Sequence, residues 1–327
     1  MRISAVSISF IVAALLSAAL SPAVQAQDVF PSKTITVTVG FPPGGNTDVI
    51  ARIVGERMEQ ILGQRVVIDN RAGAGSTIAA GYVARSAPDG YTLLTGSPST
   101  NAIAPNLYSN LPYDSLKALA PVALLVNGPV VLVVHPSVKA STVQELVELY
   151  KREPGKHNFA TGGNGTHAHL ICEWLMQQTG ANIVHVPFRG GAPALQAVLA
   201  GEPTMIIDNL PTALPHIQAG RVKALAVFSA KRASVLPDVP TMVEAGYKDM
   251  ITDSWTAFYA PAGTPADVIA KLNAAAVAAV RHPEVAEKLG KLSAVPVGST
   301  PAELEAITRL EHERWGKLIR ERKLTVN

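Results

Sequence analysis

A loop at residues 41–48, FPPGGNTD, has the residue types of an anion-binding turn. Gly44 and Gly45 have no Cβ, so the backbone can turn sharply there and a ligand can approach the main chain closely. Asn46 and Thr47 are both good helix N-caps, and the first amides of a helix have no intrahelical partner. Together with the positive end of the helix dipole, these amides can hold a carboxylate without a lysine or an arginine.

The residues on either side of this loop predict the two elements that would position it. Residues 34–39 alternate threonine with isoleucine or valine, a pattern typical of a strand. From 47 to 62 the apolar residues recur at helical spacing, and Gly63 is a good helix terminator. The sequence therefore predicts a strand that delivers residues 41–48 to the start of a helix.

The same order of strand, polar loop and helix recurs along the chain. Further loops follow predicted strands at residues 96–101, 162–166 and 187–191, and Asp208 follows another. Strands that alternate with helices favour parallel α/β sheets, which place ligands where strands end and helices begin. The pattern therefore predicts an α/β fold with its ligand loops at the strand ends.

Several polar side chains in these loops allow two interpretations each. Ser97, Ser99 and Asn101 either cap local turns or bind the distal end of a ligand. Asp208 is either a helix cap or an acceptor for an ammonium, a hydroxyl or a protonated group. Arg189 either clamps a second carboxylate bidentately or lies in solvent or between lobes.

Enzyme and metal chemistry have little support in the sequence. The chain contains no Gly-x-Ser-x-Gly, His-Glu-x-x-His or Walker sequence, and no cofactor is expected. His167 and His169 lie two apart with Cys172 nearby, but a metal site would need more ligands on one face, so caps or packed imidazoles are preferred. The alternative from the enzyme class is a secreted hydrolase that uses Ser97 or Ser99.

Composition indicates a compact exported protein. A basic Arg2, an apolar run and small residues before Gln27 are typical of a signal peptide over residues 1–26, with cleavage after Ala26 and a periplasmic destination. Charged residues are 16% and apolar residues 48%, which excludes a long disordered tail. The net charge is +3 and basic residues are scattered among few aromatics, which argues against nucleic-acid binding.

The length of 327 residues predicts two domains, because a single hydrophobic core rarely grows so large. No linker longer than a turn marks a boundary. We expect the chain to cross between lobes near residues 125–129 and to return near 226–230. Lobe 1 would then contain residues 27–126 and 227–327, and lobe 2 residues 127–226.

A series of motifs makes the chain resemble the substrate-binding receptors of tripartite tricarboxylate transporters, often called Bug receptors. The motifs occur in the same order over essentially the whole mature chain: PSK at 31–33, FPPGGNTD at 41–48, NRAGAG at 70–75, PDGYTLL at 88–94, LPYD at 111–114, VPFRG at 186–190, LPDVPT at 236–241 and APAGTP at 260–265.

This resemblance implies a type II-like periplasmic binding protein. Two lobes, each a mostly parallel sheet flanked by helices, would close over a small carboxylate-bearing ligand. Main-chain amides of residues 41–47 and 162–166 would hold the carboxylate with the help of ordered waters, and a membrane permease would receive the ligand. We expect a monomer. A receptor that signals to a membrane sensor is a further alternative.

The residues predicted to bind the ligand are Phe41, Gly44, Gly45, Thr47, Ser97, Ser99, Asn101, Gly163, Asn164, Gly165, Thr166, Arg189 and Asp208.

Overall fold

A computed structural model of the chain describes residues 29–114 and 116–326. The chain divides into two compact units, Met1–Ser32 and Lys33–Asn327, and the fold below belongs to the second. The signal peptide predicted at residues 1–26 lies outside the described residues. Within the described ranges, no helix combines the length and the apolar character that a membrane span requires.

In the described part of the chain, ten strands form one mixed sheet in the order β2-β1-β3-β9-β4-β7-β5-β6, and β8 and β10 also pair with β4. The strands are β1 (Ile35–Val39), β2 (Val66–Asn70), β3 (Thr92–Gly96), β4 (Leu119–Val134), β5 (Asn158–Thr161), β6 (Val184–Pro187), β7 (Met205–Asn209), β8 (Lys223–Val227), β9 (Asp253–Pro261) and β10 (Val295–Pro296).

Helices follow most of these strands, as the alternating pattern predicts. They are α1 (Asn46–Leu62), α2 (Thr77–Ala84), α3 (Ala104–Leu107), α4 (Val143–Arg152), α5 (His167–Thr179), α6 (Gly191–Leu199), α7 (Leu210–Gln218), α8 (Ala266–Arg281), α9 (Pro283–Lys291) and α10 (Pro301–Arg322). A short 3-10 turn (Ala74–Ser76) precedes α2, and a π-helical turn (Pro98–Ile103) precedes α3.

The long strand β4 joins two halves of the sheet. The sequence shows two apolar runs, 121–126 and 130–134, separated by residues 127–129, and the structure joins them in one continuous strand of 16 residues. From Leu119 to Pro129 this strand pairs with β9, and from Val130 to Val134 it pairs with β7 and β8. Asn127, Gly128 and Pro129 stay extended because β9 pairs with each of them across the ladder. The division into lobes stays a prediction.

We call β1, β2, β3, β9 and β10 the first half of the sheet, and β5 to β8 the second half. In the first half β1 is parallel to β2 and β3, and in the second half β5 is parallel to β6 and β7. Strands β4 and β9 pair antiparallel with their neighbours. The parallel strands bring their carboxyl ends, and the helices that follow them, to one edge of each half.

Helix α1 ends where the sequence predicts. Helix α1 ends at Gly63, whose left-handed φ of 65° lets its amide bond the carbonyl of Glu59. Helix α10 begins with a capping box between Thr300 and Glu303. Its Trp315 is 1% exposed and packs into the largest hydrophobic cluster, which lies mostly under the second half of the sheet.

Candidate functional site

A partly open cavity lies where the loops of the two halves of the sheet meet. The space open to the centres of water-sized spheres is about 90 Å³, enough for several water molecules or a small ligand. Of the predicted site residues, seven line it: Phe41, Gly45, Thr47, Ser97, Ser99, Thr166 and Asp208. The predicted polar loops of both halves therefore meet at this cavity.

The start of helix α1 supplies open amide groups to this cavity. Its N-cap is Gly45, and no side chain in the described part of the chain caps it. The amides at Asn46 and Thr47, in the first turn, have no partner within the helix, and both residues line the cavity. A ligand carboxylate at this position would accept hydrogen bonds from them and would lie at the positive end of the helix dipole.

Helix α6 provides a second uncapped start. Its N-cap, Gly190, has a φ of 122° and no side-chain cap among the described residues. Gly191 and Ala192 line the cavity. A Cβ built on Gly190 would lie 2.8 Å from two ring carbons of Pro42, so the loops of the two halves touch where only glycine fits.

Helix α5 begins differently, because two side-chain hydroxyls of the protein accept hydrogen bonds from two of its first-turn amides. The hydroxyl of Thr166 accepts a hydrogen bond from the amide of His169 at 3.4 Å. The hydroxyl of Ser99, from the first half, accepts from the amide of His167 at 2.9 Å. Ser99 therefore joins the two halves at the floor of the cavity.

A buried histidine, His169, and a half-buried one, His185, support the loop before α5. The amide of Gly165 donates to Nδ1 of His169 at 3.2 Å, and the His169 ring stacks on His185 with centroids 4.2 Å apart. His185 Nε2 lies 2.6 Å from the hydroxyl of Thr161. Burial lowers the pKa of His169 to about 4, and burial with repulsion from His169 lowers the pKa of His185 to about 4. Both rings are neutral at pH 7, so Nδ1 of His169 can accept.

Asp208 ends β7 inside the cavity and is 6% exposed. One carboxylate oxygen accepts from the amide of Asn209 at 2.8 Å, and the other accepts from the hydroxyl of Thr212 at 2.7 Å. Burial raises the pKa of Asp208 to about 6, although these two hydrogen bonds oppose the shift. Asp208 thus bonds locally to Asn209 and Thr212 and also lines the ligand space, whereas the N-cap of α7 is Asn209, with no side-chain cap among the described residues.

Comparison with known proteins identifies the family. Residues 50–324 match the model of the tripartite tricarboxylate transporter family receptor. The chain is 39% identical to protein BugT of Bordetella pertussis over 295 residues, and the match covers 90% of each chain. This chain belongs to the tripartite tricarboxylate transporter receptor family.

Solved structures of similar proteins agree with this assignment. MatC from Rhodopseudomonas palustris with bound malate is 36% identical, has a TM-score of 0.85, and the match covers 89% of this chain and 100% of that one. The R. palustris protein Rpa4515 with adipate is 33% identical, with a TM-score of 0.87 over 90% and 99% of the two chains. The two-lobed α/β class expected from the sequence is confirmed for the receptor. These relatives are solute-binding proteins and not enzymes.

The remaining predicted site residues of the receptor lie away from this cavity. The amide of Gly44 donates to the carboxylate of Asp48 at 2.9 Å, so it is occupied. Burial alone would raise the pKa of Asp48, but hydrogen bonds from Arg52, Gly44 and Asn70 outweigh it and lower the pKa. The side chain of Asn101 is 1% exposed, and its Oδ1 accepts from the amide of Ser97.

Other residues of the predicted set line a neighbouring groove of about 700 Å³. Gly163, Asn164 and Arg189 line it, together with residues 72–76. Phe41, Pro42 and Gly162 line both spaces and separate them. Gly165 lines neither, because its amide is directed to His169. The structure thus separates Arg189 from the amide groups of the cavity.

Several lining residues are absent from the predicted set: Pro42, Asn46, Pro98, Gly162, His167, Ala168, Gly191, Ala192, Ile206, Ile207, Asn209, Thr212 and Ser254. Most are direct sequence neighbours of predicted residues, so wider margins around each loop would have included them. Ser254 has no such signal, because it comes from the antiparallel strand β9.

His167 lines the cavity, but its ring is engaged elsewhere. Its Nε2 lies 3.1 Å from the hydroxyl of Thr252, and its ring meets Trp315 edge-on at 5.2 Å. Burial, with a smaller effect from Arg314, lowers the pKa of His167 to about 3. In residues 29–114 and 116–326, no three His, Cys, Asp or Glu side chains gather to hold a metal ion.

Proposed function

We propose that this receptor captures a small organic carboxylate between two lobes in the periplasm and delivers it to the permease subunits of a tripartite tricarboxylate transporter. One observation carries the proposal: the uncapped starts of α1 and α6, one from each half of the sheet, open into the same cavity. Such amides favour an anion, and a relative binds malate and another adipate.

The proposed mechanism is closure of the two lobes over the ligand, with residues 27–126 and 227–327 in lobe 1 and 127–226 in lobe 2. It is supported by the change of partner along β4 at Pro129 and Val130. A ligand bonded to α1 and α6 together has differential affinity for the closed form, so it shifts the population towards that form. The permease would then recognise the closed form.

The proposed residues that contact the ligand are those of the predicted set that line the cavity. The carboxylate would lie at Gly45 and Thr47, with Thr166 across from them and with Ser97, Ser99 and Asp208 around the rest of the ligand. The cavity-lining residues of the described chain include no lysine or arginine. The ligand would therefore be bound by dipoles and hydrogen bonds and not by a guanidinium clamp.

Calorimetric titration of purified, ligand-stripped protein tests this function. The panel contains malate, adipate, several monocarboxylates, two sugars and a divalent metal ion. We expect micromolar or tighter binding of at least one carboxylate and no heat from the sugars or the metal. Binding of a sugar or the metal, with none to any carboxylate, would contradict the proposal. A mature chain recovered from the periplasm should begin at Gln27, which mass spectrometry would establish.

A further inference from the structure

Asp208 is an unusual group to find in an anion site. It is the one carboxyl side chain among the described residues that line the cavity; these residues include no lysine or arginine, and the lining His167 is neutral because burial lowers its pKa to about 3. A receptor that binds anions through open amides gains nothing from a second negative charge in so small a space. Asp208 therefore calls for an explanation beyond its local hydrogen bonds to Asn209 and Thr212.

The elements packed around Asp208 contain few other charges. Strands β4 and β5 and helix α6 have no ionisable side chain, and α7 has only His216, in its last turn. A Cβ on Gly191, at the start of α6, would lie 3.6 Å from Oδ1 of Asp208. Through this neighbour, Asp208 adjoins one of the two open helix starts that would bind a carboxylate.

Helix α5 also packs against β7, and its ionisable groups are engaged elsewhere. His167 bonds Thr252. His169 accepts from Gly165, and Glu173 pairs with Arg322 at 2.7 Å. No cation in the described part of the chain therefore neutralises an ionised Asp208 inside the cavity. A ligand carboxylate placed there would meet its charge at close range.

Two carboxyl groups that share such a site cannot both be ionised cheaply, and one of them takes up a proton. We propose that Asp208 makes ligand capture by this receptor proton-linked: the cavity takes one proton from water with each carboxylate ligand, and Asp208 holds it as a neutral acid that donates to a ligand oxygen. This inference rests on the proposed function.

Asp208 already carries this proton in a fraction of the ligand-free molecules. Burial brings the pKa of Asp208 to about 6, so at pH 7 roughly one molecule in ten carries the proton before any ligand arrives. The bound anion raises that pKa further. A ligand with an ammonium group would instead lower the pKa of Asp208. The ionised carboxylate would accept a hydrogen bond from the ammonium, and no proton would be taken up. Adipate, the ligand in one relative, has no such donor.

The experiment is calorimetric titration of the full mature protein with adipate and with malate at pH values from 6.5 to 8.5, well above the usual carboxyl pKa of roughly 4. Buffers of different ionisation enthalpy report the number of protons taken up. We expect the Kd to weaken by roughly tenfold per pH unit above pH 7, and the proton count to approach one near pH 8. The proton count needs only the wild-type protein.

Two variants assign the proton to its residue. In Asp208→Asn the side chain is neutral at every pH, so the pH dependence should vanish and binding at pH 8 should match wild-type binding near pH 6. Asp253→Asn is the matched control, because burial also raises the pKa of Asp253 to about 6, with help from Glu311, but Asp253 lines a different cleft. Its pH dependence should equal that of the wild type.

A Kd that does not change with pH, a proton count of zero, or a pH dependence that survives in Asp208→Asn would each overturn the inference. All three results leave carboxylate binding intact, so they leave the proposed function standing. Absence of binding to every carboxylate at every pH would instead remove the proposed function, and this inference with it.

Discussion

The two loops that face each other across the cavity begin their helices in opposite ways. At the start of α1 the N-cap is a glycine, and no described side chain satisfies the first amides. At the start of α5, Thr166 and Ser99 satisfy two of them, and a stack of neutral histidines supports the backbone behind. Both loops have similar sequences, rich in glycine and ending in threonine, yet within the described residues the protein itself pairs two first-turn amides of α5 and neither Asn46 nor Thr47 of α1.

This difference indicates a division of labour. The α1 loop offers hydrogen-bond donors that a ligand can complete, whereas at the start of α5 the hydroxyls of Ser99 and Thr166 already pair two of the donors. An unpaired buried amide destabilises the empty protein, so leaving it open makes sense only where a ligand later pairs it.

The largest effect should come from capping α1 with its own chain. In Gly45→Asp the new carboxylate would accept from the first-turn amides and occupy the position of the ligand carboxylate. A Cβ at Gly45 fits, because its one close neighbour is the carbonyl of Pro42 at 3.5 Å. Titration with malate and adipate should show affinity at least 100-fold weaker, while the free energy of unfolding rises by roughly 0.5 kcal/mol.

Gly45→Ala is the matched control for that variant, since it adds the same Cβ without a carboxylate. Its affinity should stay within about threefold of the wild type. If Gly45→Asp bound the ligand nearly as well as Gly45→Ala, the amides of α1 would not be the carboxylate site, and the contrast between the two loops would have no functional meaning.

The second effect concerns the histidines beneath the α5 loop. His169 stays neutral in the fold down to about pH 4 but takes a proton near pH 6.5 when unfolded. Its contribution to stability is therefore complete above pH 6.5 and declines as the pH falls towards 4. Relative to His169→Gln, the wild type should lose up to about 1.4 kcal/mol of unfolding free energy per pH unit in this window.

Urea denaturation of both proteins at pH 7, 6, 5 and 4 measures this difference directly. Using the difference cancels the opposite contributions of Asp208 and Asp253, whose raised pKa values favour the folded state as the pH falls. Curves that stay parallel from pH 7 to pH 4 would mean that the histidine stack does not hold the loop by remaining neutral.

The third effect is the contribution of the Thr166 cap on α5 to the free energy of unfolding. Thr166→Ala removes the hydroxyl that accepts from His169 and should lower the free energy of unfolding by about 1 kcal/mol. Thr166→Ser keeps a hydroxyl, so its free energy of unfolding should fall by only about a few tenths of a kcal/mol. Chemical denaturation of the ligand-free proteins is the measurement. Equal losses in the two variants would point to packing of the Thr166 methyl group as the cause.

The smallest effect should follow from Arg189→Ala. Arg189 is exposed and lines the neighbouring groove but not the cavity. We expect the Kd for malate and adipate to change by no more than about twofold. A loss greater than tenfold would show that the ligand reaches past Phe41 and Pro42 into the groove, and that a guanidinium clamps its second carboxylate after all.

Much of the site could be predicted because its signals are local. Gly45, Thr47 and Thr166 were identifiable from glycine-rich turns between a strand and a helix, and all three line the cavity. Gly44 and Asn101 have the same local signals but lie elsewhere, because Asp48 takes the amide of one and Ser97 donates to the side chain of the other. Both partners are nearby in sequence, yet the choice among competing acceptors depends on how each loop folds.

Other features depended on partners far away in the chain. Residues 127–129 read as a break between strands, but pairing with β9, more than a hundred residues later, keeps them extended. Ser254 reaches the cavity for the same reason. Local propensity carries no information about such a partner.

The amino-acid sequence alone determined the α/β class, the family and the loops with amides to offer, because periodicity, glycine and capping residues act over a few neighbouring positions. Tertiary structure decided which of those amides stay open, that Ser99 of one half satisfies an amide of the other, and that Asp208 is buried without a cation. Those outcomes depend on which groups exclude water from one another, and that is settled only when distant segments pack together.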